Sequence, residues 1–211
     1  MYKIYFLPIF IIALMLSGCM PAIFTGAVSS TMAVAGDRSV GTAIDDTKIA
    51  ARIKADFVKN NFRELYTKIS VSVLNARVLY TGTVDKEEDM LTAVQIAWNQ
   101  KDVKEVVNEL IVDKNSGHFD LVQYTRDSMI TTQIKSKAFL KREIKFVNYT
   151  VITVNDIVYL FGSARSEEEL EQMADIASKV HGVKKVISHV KIIEPSSNAP
   201  SVADRLSDDN T

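Results

Sequence analysis

The chain has 211 residues, 47% of them apolar and 24% charged, an ordinary globular balance that excludes a fibrous or wholly disordered protein. Its 25 basic and 26 acidic residues nearly cancel, so whole-molecule attraction to nucleic acid or to an anionic surface is excluded, and any such contact must come from a local patch. A single cysteine cannot close an internal disulfide, so the folded part depends on its cores.

Residues 1–18 differ from the rest. One positive residue, Lys3, precedes an apolar run from Ile4 to Leu16, followed by Leu16-Ser17-Gly18-Cys19. The run is short for a spanning helix, and small residues follow it where a signal peptidase needs an uncrowded backbone. Leu-Ser-Gly-Cys has the form of a bacterial lipobox, which predicts cleavage after Gly18 and lipidation of Cys19. Several acyl chains hold a protein on a membrane without a transmembrane helix. Met20, rather than Asp, follows the cysteine. By resemblance to sorting in enteric bacteria this points to the outer membrane, with the protein facing the periplasm.

Residues 19–42 are rich in Ala, Gly, Ser and Thr without a helical or strand period, and are expected to form a lipidated, flexible tether. Beyond them the chain repeats itself at an offset of about 80 residues. Ile49, Ile53 and Lys54 match Ile130, Ile134 and Lys135; Gly82 matches Gly162; Ile96-Ala97 matches Ile176-Ala177; and Val103 and Val106 match Val183 and Val186.

In the first copy, residues 43–114, Asp46 is expected to cap a helix whose apolar stripe is Ile49, Ile53 and Phe57. Alternating runs from Ile69 to Leu74 and from Arg77 to Thr83 then meet at Asn75-Ala76, a hairpin signal. Asp85 followed by Glu88 reads as a capping box for a second helix, with Met90, Val94 and Ala97 on its apolar face. Trp98, near that helix's end, is read as a core residue. A strand from Val106 to Val112 closes the unit. In the second copy, residues 124–193, Asp127 is the expected cap of a helix over Ser128 to Leu140. Strands from Tyr149 to Val154 and Ile157 to Ser163 meet at Asn155-Asp156; Ser166 and Glu169 open the second helix, and Val186 to Ile193 is the last strand. The fold class is therefore α+β: two tandem αββαβ units, each a three-stranded mixed sheet packed on two helices. Residues 194–211, with Pro195, Pro200 and a closing Asp208-Asp209, read as a disordered tail.

No catalytic or metal-binding constellation stands out, and no cofactor is implied. His118, His181 and His189 lack metal-ligand spacing. Glu87-Glu88-Asp89 and Glu167-Glu168-Glu169 occupy helix N-termini, where they complement the dipole. An enzyme reading has no residues behind it. Nucleic-acid recognition lacks exposed stacking aromatics on a basic sheet. The notable local feature is charge: from Arg126 to Lys145 six basic residues stand against Asp127 and Glu143. Each basic side chain near an anionic surface is worth about 1 kcal/mol.

An αββαβ unit of about 70 residues, with Gly at the end of its second strand and a Gly-Val-x-x-Val turn into its third, resembles the BON domain. Two such units behind a lipobox are similar to the dual BON-domain outer-membrane lipoproteins, and the same tandem occurs in a soluble, osmotically induced periplasmic protein. The resemblance implies binding of anionic phospholipid by the second unit in support of envelope integrity. The implied contact surface is that unit's first helix: Met129, where the lipoproteins tend to carry an aromatic residue, with Thr132, Gln133, Lys135, Ser136 and Lys137. The alternative is a periplasmic protein-interaction or chaperone-like stress module whose partners include envelope-assembly proteins.

Overall fold

A computed structural model describes residues 40–114 and 120–193. The signal segment, Cys19, nearly all of the tether, His118 and the tail lie outside the described residues. The first unit runs α1 (Val40–Asn61), a π-helical turn (Phe62–Tyr66), β1 (Ile69–Leu74), β2 (Arg77–Val84), α2 (Glu87–Trp98) and β3 (Glu105–Val112). The second runs α3 (Leu121–Phe139), a 3-10 turn (Phe146–Asn148), β4 (Tyr149–Val154), β5 (Ile157–Ala164), α4 (Glu167–Ser178) and β6 (Lys185–Ile192). Each sheet is mixed: the central strand pairs antiparallel with the strand before it and parallel with the strand after it.

The hairpin turns are where the sequence placed them. Asn75, Ala76, Asn155 and Asp156 all have φ between 53° and 65°, the doubly left-handed geometry that a two-residue turn needs to match strand twist. What holds these turns corrects the sequence reading. Asp46 and Asp127 lie inside α1 and α3 rather than at their N-caps, because both helices start earlier. Their buried carboxylates instead accept the backbone N–H groups of the turn. Asp46 takes Asn75 and Ala76, both at 2.8 Å, and Asp127 takes Asn155 and Asp156, both at 2.9 Å. One carboxylate thus satisfies two backbone donors of a partly buried turn, and fixes the first helix to the hairpin.

The second helices differ in their caps. Ser166 accepts the N–H of Glu169, as expected, but the Glu169 carboxylate does not return to its cap residue. It takes the N–H groups of Lys145 and Arg165, together with the Arg165 guanidinium. In the first copy Lys86, not Asp85, holds the cap position and makes no side-chain cap bond, while Asp85 pairs with Lys68 at 2.6 Å. Trp98 is not in the core: it is 53% exposed, because Ala93, Ile96 and Ala97 form the inward face of α2.

Alternation divides each sheet into two faces. Val78, Tyr80 and Val84 face α1 and α2, just as Val158, Leu160 and Ala164 face α3 and α4. The opposite faces meet each other. Leu74 and Leu79 of the first sheet bury against Tyr159 and Phe161 of the second, with Val107, Ile152, Val154 and Ile187 around them. The result is four layers: helices, sheet, sheet, helices. A Cβ on Gly162 would sit 2.1 Å from the Asn148 carbonyl and 3.1 Å from Leu74 of the other unit, so glycine lets both strand and domain approach.

Arg77 polices the margin of this seam. Its guanidinium donates to the carbonyls of Gly162 (3.2 Å) and His189 (2.9 Å), and lies 4.8 Å from the Phe161 ring centroid. It also forks onto Glu105. Glu105 further takes Lys191 of the second unit, and Glu109 takes His189 at 2.7 Å. On the free third strand of each sheet a side chain occupies its own backbone: Leu110 N–H bonds Asn108 Oδ1, and Val190 N–H bonds Ser188 Oγ.

Replacing Asp127 by Ala leaves two turn N–H groups without their acceptor and is expected to cost about 2–4 kcal/mol in urea unfolding. Arg77, then Lys191, holds the Glu105 carboxyl down to about 2, from an ordinary value of 4.5. A lowered folded value means that its contribution is complete above about pH 4.5 and drains away as pH falls toward 2. The expected outcome is an acid-side loss of melting temperature that Glu105→Gln flattens.

Candidate functional site

The second unit's first helix begins about two turns before the sequence reading placed it, at Leu121 rather than Ser128. Asp120 is the N-cap, its carboxylate accepting from the N–H groups of Val122 (2.9 Å) and Gln123 (3.0 Å). Asp127, Ile130, Ile134 and Ala138 form the buried face of α3, the acid clamping the hairpin and the others filling the core.

At about 100° per residue, the opposite side carries Met129, Thr132, Gln133 and Ser136 together, with Lys137 at one border and Lys135 at the other. All six are exposed. The Thr132 hydroxyl donates to the Ser128 carbonyl at 2.8 Å, so it is occupied within the helix. The same outward side holds four residues that the sequence reading left out: Leu121, Val122, Phe139 and Leu140, between 64% and 80% exposed, with Met129 at 58%. Two signals could have found them. Asp120 is as good a cap as Asp127, and Leu121 and Phe139 recur in phase with Ser128 and Thr132.

The basic excess separates into two kinds. Lys135, Lys137, Lys141 and Arg142 are exposed. Arg126 stands 3.6 Å from Asp156, and the amide of half-buried Lys145 is held by Glu169. Asp156 is buried beneath Lys184 (2.8 Å) and Gln123 (2.8 Å), and the lysine first, then the glutamine, holds its carboxyl below the usual range. That network positions the N-terminal half of α3 against the turn. The outward face is convex, apolar at both ends and at Met129, polar at Thr132, Gln133 and Ser136 between them, and cationic at its borders. Such a surface can lie on another surface but cannot enclose a small ligand, and no metal-ligating cluster occurs among the described residues.

The copies have diverged elsewhere. On α2 the outer side carries Leu91 and Trp98, both more than half exposed, where the second copy has Glu171 and Ser178.

Comparison with known proteins gives a consistent neighbourhood. The BON domain description matches residues 45–114 and 126–194. An uncharacterised protein of Anaplasma centrale is 42% identical over 149 residues, covering 71% of this chain and 95% of that one. The outer membrane lipoprotein DolP of Haemophilus influenzae is 33% identical over 179 residues, covering 85% and 91%. The osmotically-inducible protein Y of Escherichia coli is 29% identical over 153 residues, covering 72% and 75%.

Proposed function

We propose that this chain, which belongs to the BON domain family, is an outer-membrane lipoprotein anchored through Cys19 that faces the periplasm and binds anionic phospholipid through α3, in support of envelope integrity. Placement in the outer membrane draws support from the Leu-Ser-Gly-Cys motif and from the similarity to a lipoprotein of that membrane. The observation that carries the lipid reading is the outward side of α3: Leu121 and Val122 exposed at one end, Met129 in the middle and Phe139 and Leu140 at the other, with Lys135 and Lys137 at its two borders.

The chemistry fits an interfacial helix lying flat in the headgroup region. Fully burying one such apolar side chain stabilises by about 1.5–3 kcal/mol, so several half-inserted ones outweigh the lysines. The lysines, at about 1 kcal/mol each, select the charge of the surface and act within a Debye length of about 8 Å at physiological salt. A lipid anchor raises the local concentration of membrane, so modest intrinsic affinity suffices.

A second reading, docking of an envelope-assembly protein, is favoured by the Leu91 and Trp98 face of α2. Trp98→Asp should then abolish cross-linking to that partner while leaving vesicle binding unchanged.

The lipid reading is tested with residues 20–211 as a whole, since separating the units exposes the sheet faces. Co-sedimentation with phosphatidylglycerol or cardiolipin vesicles should be salt-sensitive. Met129→Glu, or Lys135→Glu with Lys137→Glu, should weaken it on the order of tenfold or more. Absence of binding at low salt would overturn the reading.

A further inference from the structure

We infer that the protein has a second anionic-lipid face, on α1 of the first unit, pointing away from the first face across the four layers. The inward side of α1 is occupied by Ile49, Ile53 and Phe57. Its outward side is also apolar: Ile44, Ala51, Ala55, Val58 and Phe62 fall within a narrow arc at about 100° per residue, and all are exposed. Ile44, Val58 and Phe62 are 50%, 47% and 56% exposed. The π-helical turn continues the stripe, stacking the Phe62 ring on exposed Tyr66 at 5.2 Å between centroids. Aromatic rings at the end of an exposed apolar stripe suit the boundary between headgroups and acyl chains.

The charge pattern selects the occupant. Lys48, Arg52 and Lys59 border the stripe on one side and Lys54 on the other, all exposed. The acids of the helix lie off the stripe, and two of them pair with border lysines, so Arg52 and Lys54 carry the net positive charge of the border. Asp46 is buried under the hairpin turn, Asp56 is directed to Gln100 (2.9 Å) and Lys59 (3.1 Å), and Asp45 to Lys48 (3.1 Å). What faces outward is an apolar strip framed by cations, complementary to an anionic headgroup layer rather than to a neutral one. The duplication supports the same assignment. Lys54 and Val58 occupy the positions that Lys135 and Phe139 hold in α3, so the same element in both copies keeps a lysine and an apolar side chain at matching places.

Because the sheets pack face to face, α1 and α3 belong to opposite outer layers. One molecule therefore addresses two lipid surfaces and links them. The linking, though not the α1 contact itself, rests on the lipid reading of α3.

The test uses residues 20–211 carrying Phe62→Trp in a Trp98→Phe background, so that the only indole sits at position 62. Both sites are exposed, and far-ultraviolet circular dichroism verifies folding. Phosphatidylglycerol vesicles should shift its emission to the blue, phosphatidylcholine vesicles should not, and the shift should persist when Met129→Glu and Lys135→Glu disable α3. Arg52→Glu with Lys54→Glu should weaken this response on the order of tenfold or more. Light scattering should report vesicle clustering by the parent chain and none when either helix is disabled. An unmoved emission in a chain that still sediments through α3 overturns the inference and leaves the α3 reading standing. A shift of equal size on phosphatidylcholine, or one that grows with protein concentration without vesicles, also overturns it, the latter naming a second copy as the occupant. An α3 variant that sediments as tightly as the parent while position 62 responds overturns the α3 reading alone.

Discussion

A three-stranded sheet has two faces, and two helices cover one of them. The consequence of that shortage governs this molecule. Leu74, Leu79, Tyr159 and Phe161 sit on faces that neither unit's own helices can reach, and they leave water only by meeting each other. Each core is near the small end of what folds independently, so the shared seam supplies burial that neither copy provides alone. The placement of everything else follows: helices are driven to the outside, and their outward sides become the surfaces available to partners.

The seam is not symmetrical in its chemistry. Related positions carry Leu79 and Tyr159, Thr81 and Phe161, Glu109 and His189, so duplicated strands have specialised into complementary halves. Arg77 is the clearest case. It lies at the rim between an aromatic ring, two carbonyls and a carboxylate, which gives a nearly buried cation both its desolvation partners and a fixed orientation.

Much of the fold was legible because its signals are local. Period-two runs, the Asn-containing turns and the eighty-residue echo specify hairpins and duplication without reference to anything distant. The misreadings have a common cause. Asp46 and Asp127 look like helix caps when only the following residues are considered, yet their partners lie about thirty positions later, at the hairpin. Trp98 looks like core from its size, but its helix turns small Ala93 and Ala97 inward and leaves the indole outside. Of the surface proposed from the sequence, the six named side chains share one exposed helix; Leu121 and Val122 fall outside the expected helix because the cap was misplaced, whereas Phe139 and Leu140, inside the expected helix, are in phase with its exposed side. The packing of the two sheets had no local signature at all. Tyr159 and Phe161 belong to an alternating run whichever object covers them.

Sheets with uncovered edges invite their neighbours to add strands. Asn108 and Ser188 answer that hazard from within, each lending an oxygen to the amide two residues ahead on the third strand of its sheet. An added strand would need an unbroken row of free donors, and on each third strand one of those amides is already taken. Two short polar side chains, one per copy, therefore interrupt the template that a neighbouring chain would otherwise extend.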